Sequence, residues 1–301
     1  MSILNRRQFI ATSSLAAASS LFAIEPINRI NPRIKGISLA AYSLRSEMKW
    51  MKGKKQKGDM EILDFIDYSA KEQFDGVELT AYFFEEPVTA SYINQVKRKA
   101  HILGLDITGG AIGNNFSMHP GSEEAKAQSD YVNKWIDVYA DLGAPVIRVF
   151  AGNRGPKGAS QEVIMKNITH NLNEALVHAE KRGVILGMEN HDSMTDMDKL
   201  LGFVKTVKSD FFGITWDSAN IKYDKDPYGE LKKIAPYTVN AQVKVKIPQN
   251  GKHVDTDFNK IVSILKEAKY SGYIVLEYEE KEDPRAMIPK YAAQLREAIK
   301  A

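Results

Sequence analysis

Apolar residues along the chain fall into short dense runs, and between them lie longer stretches in which apolar positions recur every three or four residues. The dense runs read as strands over Lys35–Ala41, Gly76–Thr80, Leu105–Thr108, Pro145–Phe150, Val184–Glu189, Phe212–Asp217, Val239–Ile247 and Tyr273–Tyr278. The intervening stretches, such as "MEILDFIDYSAKEQF", "SDYVNKWIDVYADLG" and "VIMKNITHNLNEALVHAEKRG", carry the helical period, and several end in glycine just before the next strand. Eight strand and helix pairs in a chain of 301 residues match the count and scale of a closed (β/α)8 TIM barrel, an α/β fold in one domain. No break in composition or long linker marks a second domain. In the seventh run, "TVNAQVKVKIPQN", Gln242, Lys244 and Lys246 alternate with Val243, Val245 and Ile247. An open antiparallel sheet would leave that polar face wet, whereas in a closed barrel it points inward and its side chains need partners.

Composition narrows the chemistry. At 44% hydrophobic and 26% charged residues the chain is of ordinary globular type, and with no cysteine it has neither disulfides nor thiolate sites. A bound metal would therefore rest on oxygen and imidazole ligands. Of the formal charge of +3, Arg6 and Arg7 contribute two in the opening segment, so the remainder is close to neutral and carries no nucleic-acid footprint. The basic run "KWMKGKKQKGD" reads as a solvated loop, the alternative being a loop that steers an anionic ligand. Residues 1–23, "NRRQFIATSSLAAASSLFA" among them, have the physics of an export signal resembling the twin-arginine type, the alternative being an uncleaved amphipathic N-terminus. The expectation is export to the periplasm, a linker over residues 24–33, the barrel over 34–301 and no membrane span.

In a parallel barrel the active site is built at the C-terminal ends of the strands. Those ends carry Tyr42, Glu78, Arg148, Glu189 with His191, Asp217 with Asn220, Gln242 with Lys244, and Glu277. Glu189, Asp217 and Glu277 converging in one mouth would raise one another's pKa unless a cation compensates. A divalent metal held by these carboxylates and the Gln242 oxygen is the simplest compensation, and a cluster neutralised by Arg148, Lys244 and shared protons is the alternative. His191 is expected to orient Glu189 or the substrate, Lys244 to contact substrate or an enediolate, and Arg148 to hold hydroxyls or pair with Glu189 or Glu78. Glu78 either binds substrate or pairs with Arg148. His119 has no fixed register. Trp50, Phe83, Phe84 and Trp216 could offer rings to a sugar or pack in the core or rim.

The motifs "GMENHD", "GITWDSAN", "AQVKVK" and "GYIVLEYE", with "APVIRVFAG" before them, resemble the xylose isomerase-like TIM-barrel family of sugar phosphate isomerases and epimerases, over essentially all of residues 34–300. The resemblance implies one divalent ion on Glu189, Asp217, Gln242 and Glu277, with Gln242 standing where the family has histidine. It implies Glu189 and Glu277 as the groups that move the proton, while the strand-end positions of Tyr42, Glu78, Arg148, His191, Asn220 and Lys244 make them the expected substrate contacts. Two departures count against an ordinary ketohexose 3-epimerase: Asn220 replaces a histidine and Pro248 an arginine. An amide in place of imidazole favours Mn2+ or Mg2+ over Zn2+ or Co2+.

The implied chemistry is removal of a C–H proton beside a carbonyl, followed by epimerisation or isomerisation of an unphosphorylated sugar. A metal-dependent 3-keto-glycoside lyase or hydratase and a non-catalytic sugar-binding barrel are the alternatives. The expected partners are a small-molecule sugar and no nucleic acid, and a homo-oligomer is compatible with the sequence. A related endonuclease activity is disfavoured, because the extra histidines of a multinuclear zinc centre are missing.

Overall fold

A computed structural model describes residues 24–152 and 155–301, so the expected export signal lies outside the described residues. Eight parallel strands close into a barrel: β1 (Ile34–Ala40), β2 (Gly76–Thr80), β3 (Asp106–Ala111), β4 (Val146–Val149), β5 (Ile185–Glu189), β6 (Phe212–Asp217), β7 (Thr238–Lys244) and β8 (Gly272–Glu277). Each strand pairs with its sequence neighbours, and β1 closes the ring against β8 through pairs such as Ile37 with Ile274 and Leu39 with Leu276. Among the described residues eight α-helices follow them: α1 (Ile62–Lys71), α2 (Ala90–Ile102), α3 (Glu123–Leu142), α4 (Gln161–Arg182), α5 (Met197–Val204), α6 (Pro227–Ile234), α7 (Phe258–Glu267) and α8 (Pro284–Lys300). This is the single-domain (β/α)8 barrel the hydrophobic pattern predicts.

Helix ends follow local chemistry. Ser122 and Ser160 cap α3 and α4 by accepting from Ala125 N–H and Val163 N–H, while Gly143 and Gly183 end the same helices with φ of 79° and 71°, a region open to glycine at little cost. Residues 24–33 form no strand or helix but lie across the N-terminal end of the barrel. There Ile24 N–H donates to Val207 O and Ile27 N–H to Pro236 O, and the Arg29 guanidinium covers the Tyr270 ring. Among the described residues no helix is long and apolar enough to cross a membrane.

Three boundaries differ from the sequence expectation in ways that shape the site. β3 runs on through Gly109, Gly110 and Ala111, a stretch whose glycines argue for a loop. The reason is packing: a Cβ on Gly110 would lie 2.1 Å from the Tyr139 ring of α3, whose hydroxyl donates to Leu79 O. Gly110→Ala is therefore expected to cost about 1–3 kcal/mol by overpacking, read as a fall of several degrees in the unfolding midpoint. The run expected to end at Ile247 stops at Lys244, and Lys246–Gln249 instead pairs with Lys252–Asp255 in a separate hairpin. The basic run near Lys52, read as a plain loop, forms a second small hairpin, Trp50–Met51 against Lys54–Lys55.

Candidate active site

On β7 the alternation resolves as a barrel requires. Val243 is fully buried among the core side chains, while Asn240, Gln242 and Lys244 share the opposite face. They occupy successive depths. Asn240 Nδ2 and Gln242 Nε2 both donate to Glu78, each at 2.7 Å, so the Glu78 carboxylate is gripped in the barrel interior. Lys244, one step higher, places its ammonium 3.1 Å from Asp217 Oδ2, 3.1 Å from Glu279 Oε2 and 3.7 Å from Glu277 Oε2.

Asp217 closes β6 and is fully buried. Its Oδ1 accepts from Ala219 N–H at 2.8 Å and Asn220 N–H at 3.1 Å, and the Asn190 amide brackets its backbone by accepting from Asp217 N–H and donating to Asp217 O. Oδ2 has no hydrogen bond of good geometry; only the charge of Lys244 faces it. Glu189, at the end of β5, gives Oε1 to Asn220 Nδ2 at 2.7 Å, and its Oε2 lies 3.0 Å from Arg148 Nε. That second contact is an ion pair rather than a directed hydrogen bond, since Nε has no well-aligned acceptor. Arg148 also donates to Ile112 O and lies over the Phe150 ring at 3.9 Å, and Phe150 in turn packs against His191 at 4.6 Å.

These groups surround one cavity of about 90 Å3. Tyr42, Arg148, Glu189, His191, Gln242, Lys244 and Glu277 line it, together with Tyr82, Phe150 and Glu279. Asp217 reaches it through Lys244, and Asn220 through Glu189. A larger cavity, about 520 Å3, opens at the opposite end of the barrel among Lys97, His101 and Tyr273, and contains none of the converging acids. The chemistry therefore points to the smaller one.

Burial dominates the electrostatics. It pushes the Glu189 carboxyl above its ordinary pKa against the pull of Arg148, and the Glu277 carboxyl well above it against the pull of Lys244. For Lys244, burial works in the opposite direction, but Asp217, Glu277 and Glu279 prevail and hold the ammonium charged. Burial likewise disfavours a charged His191, but Asp192 and Glu189 raise its pKa overall. Glu78 is raised by burial to about 7 although Asn240, Gln242 and Arg148 oppose the shift.

The Glu78 value fixes a pH dependence. Because the folded pKa lies above the ordinary 4.5, the native state binds more protons than the unfolded chain between those values. The stabilisation is complete below about pH 4.5 and is lost as pH rises through 7, by up to about 3 kcal/mol. Unfolding of the cation-free protein from pH 5 to 8 should show that decline, with a shallower slope in Glu78→Gln; identical slopes would remove Glu78 as its source.

Most of the sequence-predicted residues gather at one mouth, but Glu78, expected to meet substrate or Arg148, lies outside the cavity lining with its two carboxylate oxygens taken by Asn240 and Gln242. Asn220 orients Glu189, and Gln242 spends its amide nitrogen on Glu78. Phe83, Phe84 and Trp216 are core residues, Trp216 donating to Leu231 O, and are not sugar platforms. Trp50 is half-buried beside Lys49, and His119 is exposed and bonded to Pro120 O. Tyr82, Phe150 and Glu279 are cavity residues that the sequence reading missed. Glu279 had a signal, two positions beyond Glu277 and so on the same face. Phe150 follows β4 directly, whereas Tyr82 sits in a turn whose direction no periodicity gives.

Comparison with known proteins agrees with this architecture. The family described as "Xylose isomerase-like TIM barrel" matches residues 66–300. Among solved structures, a 3-keto-D-glucoside 4-epimerase from E. coli superposes with a TM-score of 0.66 at 19% identity, covering 83% of this chain and 99% of that one. A D-psicose 3-epimerase from Clostridium cellulolyticum gives 0.64 at 16% identity, covering 88% and 97%. A xylose isomerase-like TIM-barrel protein from Mycobacterium smegmatis, in complex with magnesium, gives 0.63 at 15% identity, covering 90% and 98%. At such identities these structures speak for the fold alone. No curated protein matches significantly in sequence. With most of its length matched, the chain belongs to the xylose isomerase-like TIM-barrel family.

Proposed function

We propose that the protein is a sugar isomerase or epimerase that moves a proton at a carbon beside a carbonyl, on an unphosphorylated sugar. The observation that carries this reading is the pair of buried carboxylates, Glu189 and Glu277, bordering one small cavity with Arg148 and Lys244 beside them. A carboxylate raised in pKa is a better base once deprotonated, and the two fixed cations stabilise negative charge developing on a substrate oxygen. Glu189 takes or returns the proton on one side, with its orientation fixed by Asn220 and Arg148; Glu277 serves the other. Proton return to the same carbon from the opposite face gives an epimer, and return to the adjacent carbon gives an isomer. His191 and Tyr42 contact substrate hydroxyls at the rim. An unphosphorylated substrate accords with the export expected from residues 1–23.

The residues present also fit a hard divalent cation, Mg2+ or Mn2+, on Glu189, Asp217, Gln242 and Glu277. Asp217 Oδ2 is buried without a hydrogen bond, and Gln242 commits its nitrogen to Glu78, which leaves its oxygen available. The acids Glu78, Glu189, Asp217, Glu277 and Glu279 outnumber Arg148 and Lys244. Among the described residues no three His, Asp or Glu side chains already form a metal cluster, so Lys244 would have to yield its place beside Asp217. When bound, such an ion supplies Lewis acidity that makes the C–H proton easier to remove.

Incubation with free ketoses, aldoses and 3-keto-glycosides in D2O, followed by NMR, tests the proposal. Carbon-bound deuterium with a new epimer or isomer is expected, and Glu189→Gln should abolish it without unfolding. Aglycone release would reassign the site to elimination, and sugar binding without exchange would make the barrel a binding protein.

A further inference from the structure

A second cavity, about 300 Å3, adjoins the catalytic mouth, and Tyr82 lines both. It lies on the same face of the barrel. Lys52 reaches it from the hairpin after β1, Tyr82 and Glu86 from the segment after β2, Gly113 from the segment after β3, and Gln128 and Tyr131 from α3. Tyr82 is buried and forms a wall of both cavities. Gly113 makes room for it: a Cβ there would stand 2.8 Å from the Tyr82 ring and hydroxyl.

The polar groups of this outer cavity have capacity to spare. Gln128 Oε1 accepts from Asn115 N–H at 2.7 Å, which leaves its NH2 group to donate. The Tyr131 hydroxyl accepts from Gly113 N–H at 3.3 Å, and burial raises its pKa to about 12, so it stays protonated and can donate its own hydrogen. The Lys52 ammonium stands 4.5 Å from the Tyr82 ring centroid, and the Glu86 carboxylate, paired with Lys134, supplies acceptors. Two tyrosines with hydrogen-bonding groups of both kinds match a sugar ring, with apolar C–H faces and a rim of hydroxyls. The inner cavity holds only the reacting end of a substrate, whereas the outer one is more than three times larger.

We propose that the outer cavity is a subsite for a second sugar ring, so that the substrate is a disaccharide-type glycoside whose reacting ring presents its carbonyl end to the inner cavity beside Tyr82. This rests on the proton-transfer reading above and extends it to substrate class. The test is calorimetric titration of the Mg2+-supplemented protein with free ketohexoses, methyl 3-ketoglucosides and 3-keto-disaccharides, for wild type, Gln128→Ala and Tyr131→Phe. Each ligand is also assayed for deuterium uptake in D2O. The expected result is a disaccharide at least about tenfold tighter than the matching methyl glycoside, the loss of one or two hydrogen bonds in either variant bringing that ratio toward one. A wild-type ratio near one, or a ratio that neither variant changes, overturns the subsite. If a free or methylated sugar still exchanges, the proton-transfer reading stands without it. Absence of binding and exchange with every ligand removes that reading and the subsite together.

Discussion

Replacing Glu277 with glutamine is expected to lower sugar interconversion by about 10²- to 10⁴-fold while leaving the barrel folded. The side chain closes β8, is nearly buried and borders the inner cavity. Glutamine keeps the shape of the side chain but loses the capacity to accept or return a proton, together with the charge that faces Lys244. Burial raises the Glu277 pKa against the pull of Lys244, so the carboxylate, once deprotonated, is a stronger base than an exposed glutamate. Circular dichroism and thermal unfolding close to wild type, together with the loss of turnover, would place the defect in the chemistry. Retained turnover would remove Glu277 from proton transfer.

Lys244→Met is expected to have the largest effect on stability. The ammonium faces Asp217, Glu277 and Glu279 at once, and its removal leaves buried acids without their countercharge, a class of change that costs about 3–5 kcal/mol. Part of that cost should be relieved by protonation, so the variant should be least stable at high pH. Mg2+ or Mn2+ should raise its unfolding midpoint more than that of wild type, since the cation no longer competes with a tethered ammonium; at a hundredfold excess over Kd, binding contributes about 2.7 kcal/mol. Equal midpoint shifts in the two proteins would show that Lys244 and the cation do not share a place.

Much of this was legible in the chain because barrel strands have period two and acidic strand ends are conspicuous. Glu189, Asp217 and Glu277 each follow an apolar run, and parity alone puts Gln242 and Lys244 on one inward face. Depth is a different matter. That Gln242 turns its nitrogen to Glu78, 164 positions away, and that Lys244 rather than Gln242 meets Asp217, depends on how β2, β6 and β7 are placed around the ring. The break after Lys244 was hidden for a local reason, since the alternation of Lys246 and Ile247 continues into the next hairpin. Aromatic residues were the least legible. Phe83, Phe84 and Trp216 face the core while Tyr82 and Phe150 face the cavity, and the tertiary packing that separates these cases leaves no periodic trace.

The most direct measurement is deuterium incorporation from D2O into carbon beside the carbonyl, followed by NMR over a panel of free and glycosidically linked keto sugars with saturating Mg2+ or Mn2+. Incorporation into at least one of them is expected from the wild type, and none from the Glu189→Gln, Glu277→Gln double variant. Equal incorporation by the double variant, or none by a wild type that binds the sugars, would contradict the proton-transfer reading.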